Sequence, residues 1–451
     1  MNDPDGLPRG RVLVVGFGVA GEAAARHLHR RGCTVSIVED HPTAPGRARF
    51  AALDAPGMTL VEQPDETMIA GLLHACDLVV PSPGVPPTHP ALILARAQRI
   101  PVWSEFELAA RWSSIPIVAV TGTNGKTTVT TLVERMLSDG GLRTVAAGNT
   151  DLPLIDAIDD LGLDVIVVEA SSFRLSFSES FHPRVAVWLN VAEDHLDWHG
   201  TMEAYIAAKA GVWQRQEPGD VAIACADDPA VMAEAGKVRS RLVTFGRDQG
   251  DWRVEGAGLC QPDGSTLIGL DELWRTLPHD LTNALAASAA AVEAGATIEA
   301  VTSVLRSFRG LPHRVSLVGQ HGGISFYDDS KATDPHAVLA ALRGFTSVVL
   351  VAGGRNKGLD LSVLASEASR LRAVVAIGEA ADEIARSLSS RVPVSVAASM
   401  DEAVHSAARV ARPGDVVLLS PGCASFDWYR SYGERGDDFA RAVSELADSR
   451  A

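Results

Sequence analysis

The chain has 451 residues, 46% hydrophobic and 21% charged, which is the composition of a folded globular protein long enough for two to four domains with cores of their own. Its formal net charge of −16 argues against a general binder of nucleic acid or of anionic membrane surfaces, although a local Lys and Arg cluster can still hold an anionic ligand, because charges are screened beyond about 10 Å. No apolar run approaches the roughly 20 residues of a membrane span, and MNDPDGLPRG does not read as a signal peptide. The five scattered cysteines (Cys33, Cys76, Cys225, Cys260, Cys423) show no CxxC spacing, so reduced packing thiols in a cytoplasmic protein are expected.

Arg11 to Val15 reads as a strand that runs into Gly16-Phe17-Gly18-Val19-Ala20-Gly21 and an alanine-rich helix ending near Gly32. A second strand, Thr34 to Val38, delivers Glu39-Asp40. Glycines in a strand–turn–helix–strand setting, with an acid about 20 residues on to hold a ribose hydroxyl, form a nucleotide-diphosphate fingerprint. Only one further clear strand, Asp77 to Val80, follows, running into Ser82-Pro83-Gly84. The segment is thus short for two mononucleotide halves, and one nucleotide diphosphate fits it better than a dinucleotide. A Rossmann-like domain that binds nothing is the bland alternative. A boundary is expected between Trp103 and Ser114.

Ile115 to Val120 is a β-branched apolar run, as in a buried parallel strand, and from Thr127 the apolar residues Val129, Leu132, Val133, Met136 and Leu137 recur on one helical face. Between them lies Thr121-Gly122-Thr123-Asn124-Gly125-Lys126-Thr127-Thr128. Such glycines let backbone N–H groups and a helix start point at one anion, with Lys126 on the outer phosphates and Thr127 on Mg²⁺. Val120 stands where the usual P-loop has its first glycine. An ordinary glycine-rich turn is the competing reading, and a nucleotide-phosphate site the favoured one.

Asp164 to Val168 is a second central strand ending in Glu169, placed where a Mg²⁺ ligand is wanted, though a solvent-facing acid would look the same. Val185 to Leu189 delivers Asn190, Glu193, Asp194, His195 and Asp197, a polar loop of metal-binding type. Lys209 closes the helical pattern Glu203 to Lys209, and spacing alone reads it as a snorkelling surface lysine. A helical stretch begins at Asn283, with Asp280 or Thr282 as its cap, unless Asn283 reads a base edge.

In the last third, Ile324 to Tyr327, Val348 to Val351, Ala373 to Ile377 and Val416 to Leu419 are strands separated by helices. Their polar loops carry Lys331, Arg355 and Lys357, which suit an anionic, carboxylate-bearing ligand. The fold class is α/β throughout: a Rossmann-like N-terminal domain, a central P-loop ATPase domain and a doubly wound, Rossmann-like C-terminal domain.

Three such domains in this order resemble the Mur ligase family of peptidoglycan synthesis, over essentially the whole chain. TGTNGKTT and NVAEDHLDWHG carry the likeness, while the glycine–Glu39 pattern, DDSKATDPHA and SPGCASFDWYRSYGERG look like its D-glutamate-adding members. The family's DNPR signature for other acceptors is absent, and Gly354-Arg355-Asn356-Lys357 stands there. The resemblance implies domains over residues 1–112, 113–311 and 312–451, binding a UDP-sugar, ATP and the amino acid. It implies a cytoplasmic, monomeric ligase that adds D-glutamate to UDP-N-acetylmuramoyl-L-alanine through an acyl phosphate, with no nucleic-acid or membrane partner.

By the same resemblance, Gly122, Thr123, Asn124, Gly125, Lys126, Thr127 and Thr128 hold the ATP phosphates, and Asn283, Arg314 and Asp329 contact adenine, phosphate and ribose. Thr127 and Glu169 hold one Mg²⁺, and His195 and a CO₂-carbamylated Lys209 a second, so that Lys126, His195 and Lys209 are the catalytic set. Gly18, Glu39, Asp40, Ser82, Pro83, Gly84 and Asn149 face the UDP-sugar. Lys331, Thr333, Lys357, Ser425 and Tyr432 hold D-glutamate. Thr150, Asp151, Asp280, His41 and Tyr432 depart from the commoner family pattern. The competing readings are another Mur-type or folylpolyglutamate-synthase-like ligase, an NAD-dependent oxidoreductase using the N-terminal fingerprint, and a nucleotide-gated binding protein.

Overall fold

A computed structural model describes residues 10–53 and 55–448. The described residues form two compact units, one drawn from Met1–Val191, Trp198–Ile268 and Asn283–Leu305 and the other from Ala192–Asp197, Gly269–Thr282 and Arg306–Ala451. Their strands make three sheets of four, nine and six members.

The first sheet is built from β1 (Arg11–Val15), β2 (Thr34–Glu39), β3 (Thr59–Glu62) and β4 (Leu78–Pro81), in the order β3-β2-β1-β4 and parallel throughout. The sequence reading missed β3, because TLVE is short and only half-buried and so lacks the continuous apolar run that marks a covered parallel strand. The helix Val19–Arg30 packs on this sheet through Ala23, Ala24, Ala25 and Leu28, all buried, so small side chains let helix and sheet approach closely.

The second sheet contains β5 (Ile117–Thr121), β6 (Thr144–Gly148), β7 (Val165–Glu169), β8 (Val185–Trp188), β9 (Val221–Cys225), β10 (Arg241–Gly246), β11 (Trp252–Glu255), β12 (Gly258–Cys260) and β13 (Thr266–Gly269), in the order β13-β12-β11-β10-β9-β8-β5-β7-β6. From β6 to β11 neighbouring strands are parallel, and β11 with β12 is antiparallel. The central strand β5 is buried along its whole length. Each buried valine there contributes about 1.5–3 kcal/mol, enough to fix the strand that launches the glycine loop. Register sets Val120 against Glu169 and Thr121 against Trp188, so the loops after β5, β7 and β8 leave the sheet at one edge.

The third sheet comprises β14 (Ser316–His321), β15 (Ile324–Asp328), β16 (Val348–Gly353), β17 (Leu371–Ile377), β18 (Val394–Ala397) and β19 (Val416–Leu419), in the order β14-β15-β19-β16-β17-β18. Only β14, which the sequence reading did not anticipate, runs antiparallel to its neighbour. The helix expected from Asn283 instead spans Pro278–Glu293. Asp280 therefore lies in its first turn rather than capping it, held by Arg275 at 2.5 and 2.9 Å, and Thr282 bonds the Pro278 carbonyl. No described helix is long and apolar enough to cross a membrane.

Candidate functional site

The loop after β5 bends at Gly122 (φ +157°) and Gly125 (φ +88°) before the helix Lys126–Asp139 starts. Gly125 is the helix N-cap and offers no side chain to cap it, and a helix start of this kind suits an anion. Asn190 clamps the loop from β8: its carbonyl accepts from Thr123 N, its Oδ1 accepts from Asn124 N, and its Nδ2 donates to the Asn124 carbonyl (3.1, 2.9 and 3.1 Å). The Trp188 indole N–H donates to the same Asn190 carbonyl. Asn190 thus shapes the loop, a role that neighbouring acids had hidden in the sequence. Lys126 folds back, donating to the carbonyls of Gly122 and Thr123 at 2.9 Å each. Thr127 and Thr128 begin the helix, and Asn283 lies beside the loop, its Oδ1 only 2.5 Å from where a Cβ on Gly125 would stand.

Lys209 is no surface lysine. It is 1% exposed on the helix Met202–Ala210, which Thr201 caps, and its Nζ donates to the Gly122 carbonyl at 2.7 Å. The ammonium also lies 4.5 Å from the Tyr205 ring centroid, and the Tyr205 hydroxyl is 3.2 Å from Thr123 Oγ1. A cation this deep is costly unless held by such acceptors.

Glu169 ends β7, in register with Val120 just before the loop. It is 2% exposed, and its Oε1 accepts from Asn149 Nδ2 at 2.8 Å. Its Oε2 is buried without a hydrogen-bond partner among the described residues. An orphaned carboxylate oxygen costs on the order of 1–3 kcal/mol or more, and at the carboxyl end of a strand beside the glycine loop it fits a hard divalent cation. Three or more His, Cys, Asp or Glu side chains do not converge among the described residues. An ion at Glu169 would therefore also need oxygen ligands of other kinds, such as a hydroxyl, phosphate or carbamate.

In the first sheet, Gly16 (φ +85°) packs against Ser82, whose hydroxyl donates to the Gly16 carbonyl at 2.8 Å. Glu39 accepts from the backbone N–H of Phe17 (2.7 Å) and of His41 (2.9 Å), so it fixes the glycine loop as well as facing it. Gly18 and Gly84 have open space where a Cβ would be. Asp40 pairs with His89 at 3.0 Å; the other His89 nitrogen accepts from Ala91 N, so in this network Nε2 carries the proton. Thr150 is tied into its own turn by bonds to Leu152, and Asp151 is exposed.

The second unit gathers the remaining positions. His195 adopts φ +55° and sits 3.2 Å from Asp194, which also receives Lys357 Nζ at 3.1 Å. Burial would raise the Asp194 carboxyl, but His195 and Lys357 outweigh it and hold it below the usual range. Asp329 is fully enclosed, with Ser420 and Val315 N as donors and Arg314 nearby in charge; burial dominates and pushes it up to about 7. Lys331 lies 5.2 Å from the Tyr432 ring, Thr333 is half-buried and Ser425 is buried. The sequence reading overlooked Arg435, 1% exposed, which bonds Ser330 Oγ, the Ser330 carbonyl and the Cys423 carbonyl and so ties the loops after β15 and β19. It likewise overlooked Arg174 and Glu105, a buried pair at 2.9 Å in the first unit. The cysteines are free thiols, and burial pushes Cys225 and Cys423 up to about 12, as expected of packing residues.

Three family profiles match the chain: the Mur ligase MurD-like N-terminal domain over residues 10–104, the Mur ligase middle domain over 120–291 and the Mur ligase glutamate ligase domain over 313–423. The UDP-N-acetylmuramoylalanine–D-glutamate ligase of Frankia casuarinae is 45% identical, over 97% of this chain and 94% of its own. That of Desulfosudis oleivorans is 42% identical, over 97% of each chain. Among solved structures, the UDP-N-acetylmuramate-alanine ligase MurC of Thermotoga maritima has a TM-score of 0.59 at 21% identity, covering 98% of this chain and 100% of that one. At that identity the likeness speaks for the fold.

Proposed function

The chain belongs to the Mur ligase family, and from that premise we propose that it is an ATP-dependent ligase joining D-glutamate to the alanyl carboxylate of UDP-N-acetylmuramoyl-L-alanine. The observation that carries the reading is buried Lys209 bonding the glycine loop at the Gly122 carbonyl, with Glu169 in register with Val120 where that loop begins, in a chain that such ligases match nearly end to end.

A carboxylate is a poor electrophile, so one of its oxygens attacks the γ-phosphorus of ATP and ADP leaves, giving an acyl phosphate. The D-glutamate amine then attacks the acyl carbon, loses a proton, and phosphate departs with the former carboxylate oxygen. There is little covalent work for side chains here; positioning and charge stabilisation supply the acceleration. Loop amides from Gly122 to Thr128 cradle the phosphates, and Lys126 exchanges its two carbonyl acceptors for phosphate oxygens. Asn283, which lies beside Gly125, is assigned to the base, and Arg314 and Asp329 to phosphate and ribose, by family likeness.

Bound Mg²⁺ would neutralise phosphate charge, with Thr127 and Glu169 holding one ion and His195 and carbamylated Lys209 a second. The Lys209 ammonium must first give up a proton; CO₂ then adds to the neutral amine, forming an N–C bond and releasing a second proton, and a buried cation becomes an anionic ligand. The UDP-sugar is assigned to Gly18, Glu39, Asp40, Ser82, Pro83, Gly84 and Asn149, and D-glutamate to Lys331, Thr333, Lys357, Ser425 and Tyr432. The three domains are taken as residues 1–112, 113–311 and 312–451, working in a cytoplasmic monomer. The test is phosphate release from ATP with UDP-N-acetylmuramoyl-L-alanine and a panel of acceptor amino acids. Release that requires D-glutamate is expected; release indifferent to acceptor, or a preference for L-glutamate or a diamino acid, overturns the assignment.

A further inference from the structure

We propose that Arg174 and Asn149 form a positioning relay that aims the Glu169 carboxylate at the magnesium site, with buried Glu105 as counter-charge; the proposal rests on the ligase reading above. The relay is continuous. Glu105 Oε1 accepts from Arg174 Nε at 2.9 Å, while its Oε2 accepts from Ile155 N at 3.2 Å. Arg174 Nη1 donates to Asn149 Oδ1 at 3.0 Å and Asn149 Nδ2 donates to Glu169 Oε1 at 2.8 Å.

An asparagine amide can face either way, and here the guanidinium decides. Because an arginine cannot accept, it takes the amide oxygen, which leaves only the NH₂ side for Glu169. One carboxylate oxygen is thereby committed, and the other, Oε2, stays buried and unpartnered among the described residues. The Asn149 backbone N–H also holds the Glu169 carbonyl at 2.9 Å, so the strand end cannot drift from the amide. The helix Glu105–Trp112 presents Glu105, with Ser104 as its cap, and the Phe106 ring lies 5.5 Å from the guanidinium.

Stability alone is a weak reason for this pair. Arg174 is 7% and Glu105 2% exposed, and burial pushes the Glu105 carboxyl above its ordinary range against the pull of Arg174. A buried ion pair gives little net stabilisation over an apolar replacement, whereas it does fix one arrangement of its neighbours. The arrangement fixed here is the rotation of Glu169. Outer partners of metal ligands have typical effects of about 10- to 100-fold on metal affinity.

The experiment uses the full chain with ADP, without UDP-sugar, and Mn²⁺ as a paramagnetic probe of the Mg²⁺ site. Two variants are compared with wild type: Glu105→Gln with Arg174→Met, which removes both charges together, and Asn149→Ala, which leaves the ion pair intact should the first not fold. The Mn²⁺ dissociation constant is expected to rise about tenfold or more in each. Metal-free ADP affinity should stay near wild type in both variants, whereas a general disruption of the loop would move it as well; the melting midpoint of Asn149→Ala is expected to fall, because Glu169 Oε1 loses its donor. Mn²⁺ affinity within twofold of wild type in a folded variant overturns the relay alone. A wild-type chain that binds no Mn²⁺ alongside ADP overturns the ligase reading and the relay with it.

Discussion

Replacing Gly125 by alanine tests the glycine loop where its geometry is tightest. Gly125 sits at φ +88°, where a residue with a Cβ costs about 1–2 kcal/mol. The added Cβ would stand 2.5 Å from Asn283 Oδ1 and 3.1 Å from Leu189 Cδ1, so Asn283 must give way. If Asn283 contacts the base, its displacement forfeits a further hydrogen bond, about 0.5–1.5 kcal/mol. The strain is borne with and without nucleotide and so lowers stability, while the forfeited bond alone sets a loss of about 2- to 12-fold in nucleotide affinity at 1.4 kcal/mol per tenfold. Calorimetric titration with ADP and Mg²⁺ measures it, with the melting midpoint reporting the strain itself. ADP affinity within twofold of wild type would refute the reasoning, since it would place the nucleotide away from this loop.

Three further outcomes are expected. Lys209→Ala should lose nearly all turnover, and short carboxylic acids should restore part of it by standing in for a carbamate; absence of any rescue counts against the modified lysine. Glu169→Gln keeps the Asn149 contact at Oε1 or its equivalent but removes the charge, so apparent Mg²⁺ affinity should fall by tenfold or more, on the order seen for lost metal-site partners, read as a shift in the Mg²⁺ dependence of turnover. For pH, Asp329 has a folded value of about 7, raised by burial from an ordinary 3.8. Between those values the folded protein keeps a proton that the unfolded chain releases. The stability held by this neutral carboxyl is thus fully present below about pH 4 and is lost as pH rises to 7. Asp329→Asn should flatten the fall in melting midpoint across that window, and an unchanged slope would contradict it.

The glycine loop, the acid at the end of β7 and four of the six strands of the third sheet were legible because each is written locally, whereas β14 and β18 were not. Glycines, a lysine and a threonine lie within eight residues, and apolar runs mark covered parallel strands. What stayed hidden depends on distant partners. Nothing around Arg174 in SSFRLSF reveals a buried cation, because its counter-charge Glu105 lies 69 residues earlier. Lys209 read as a surface residue because helical spacing cannot show that Gly122, 87 residues away, presents a carbonyl to it. In the second sheet β6, β9 and β10 were not anticipated, and the short strands β11 to β13 went unseen since three or four residues broken by turns carry no clear period. The helix expected at Asn283 starts at Pro278 instead, proline being well placed at a first helical turn and Asp280 being occupied by Arg275.

The central claim, that ATP activates a carboxylate at this loop, is tested most directly with UDP-N-acetylmuramoyl-L-alanine carrying ¹⁸O in its alanyl carboxylate. Turnover with ATP and D-glutamate should place one ¹⁸O atom in each phosphate released, read by mass spectrometry. Unlabelled phosphate formed alongside ligated product would contradict the account.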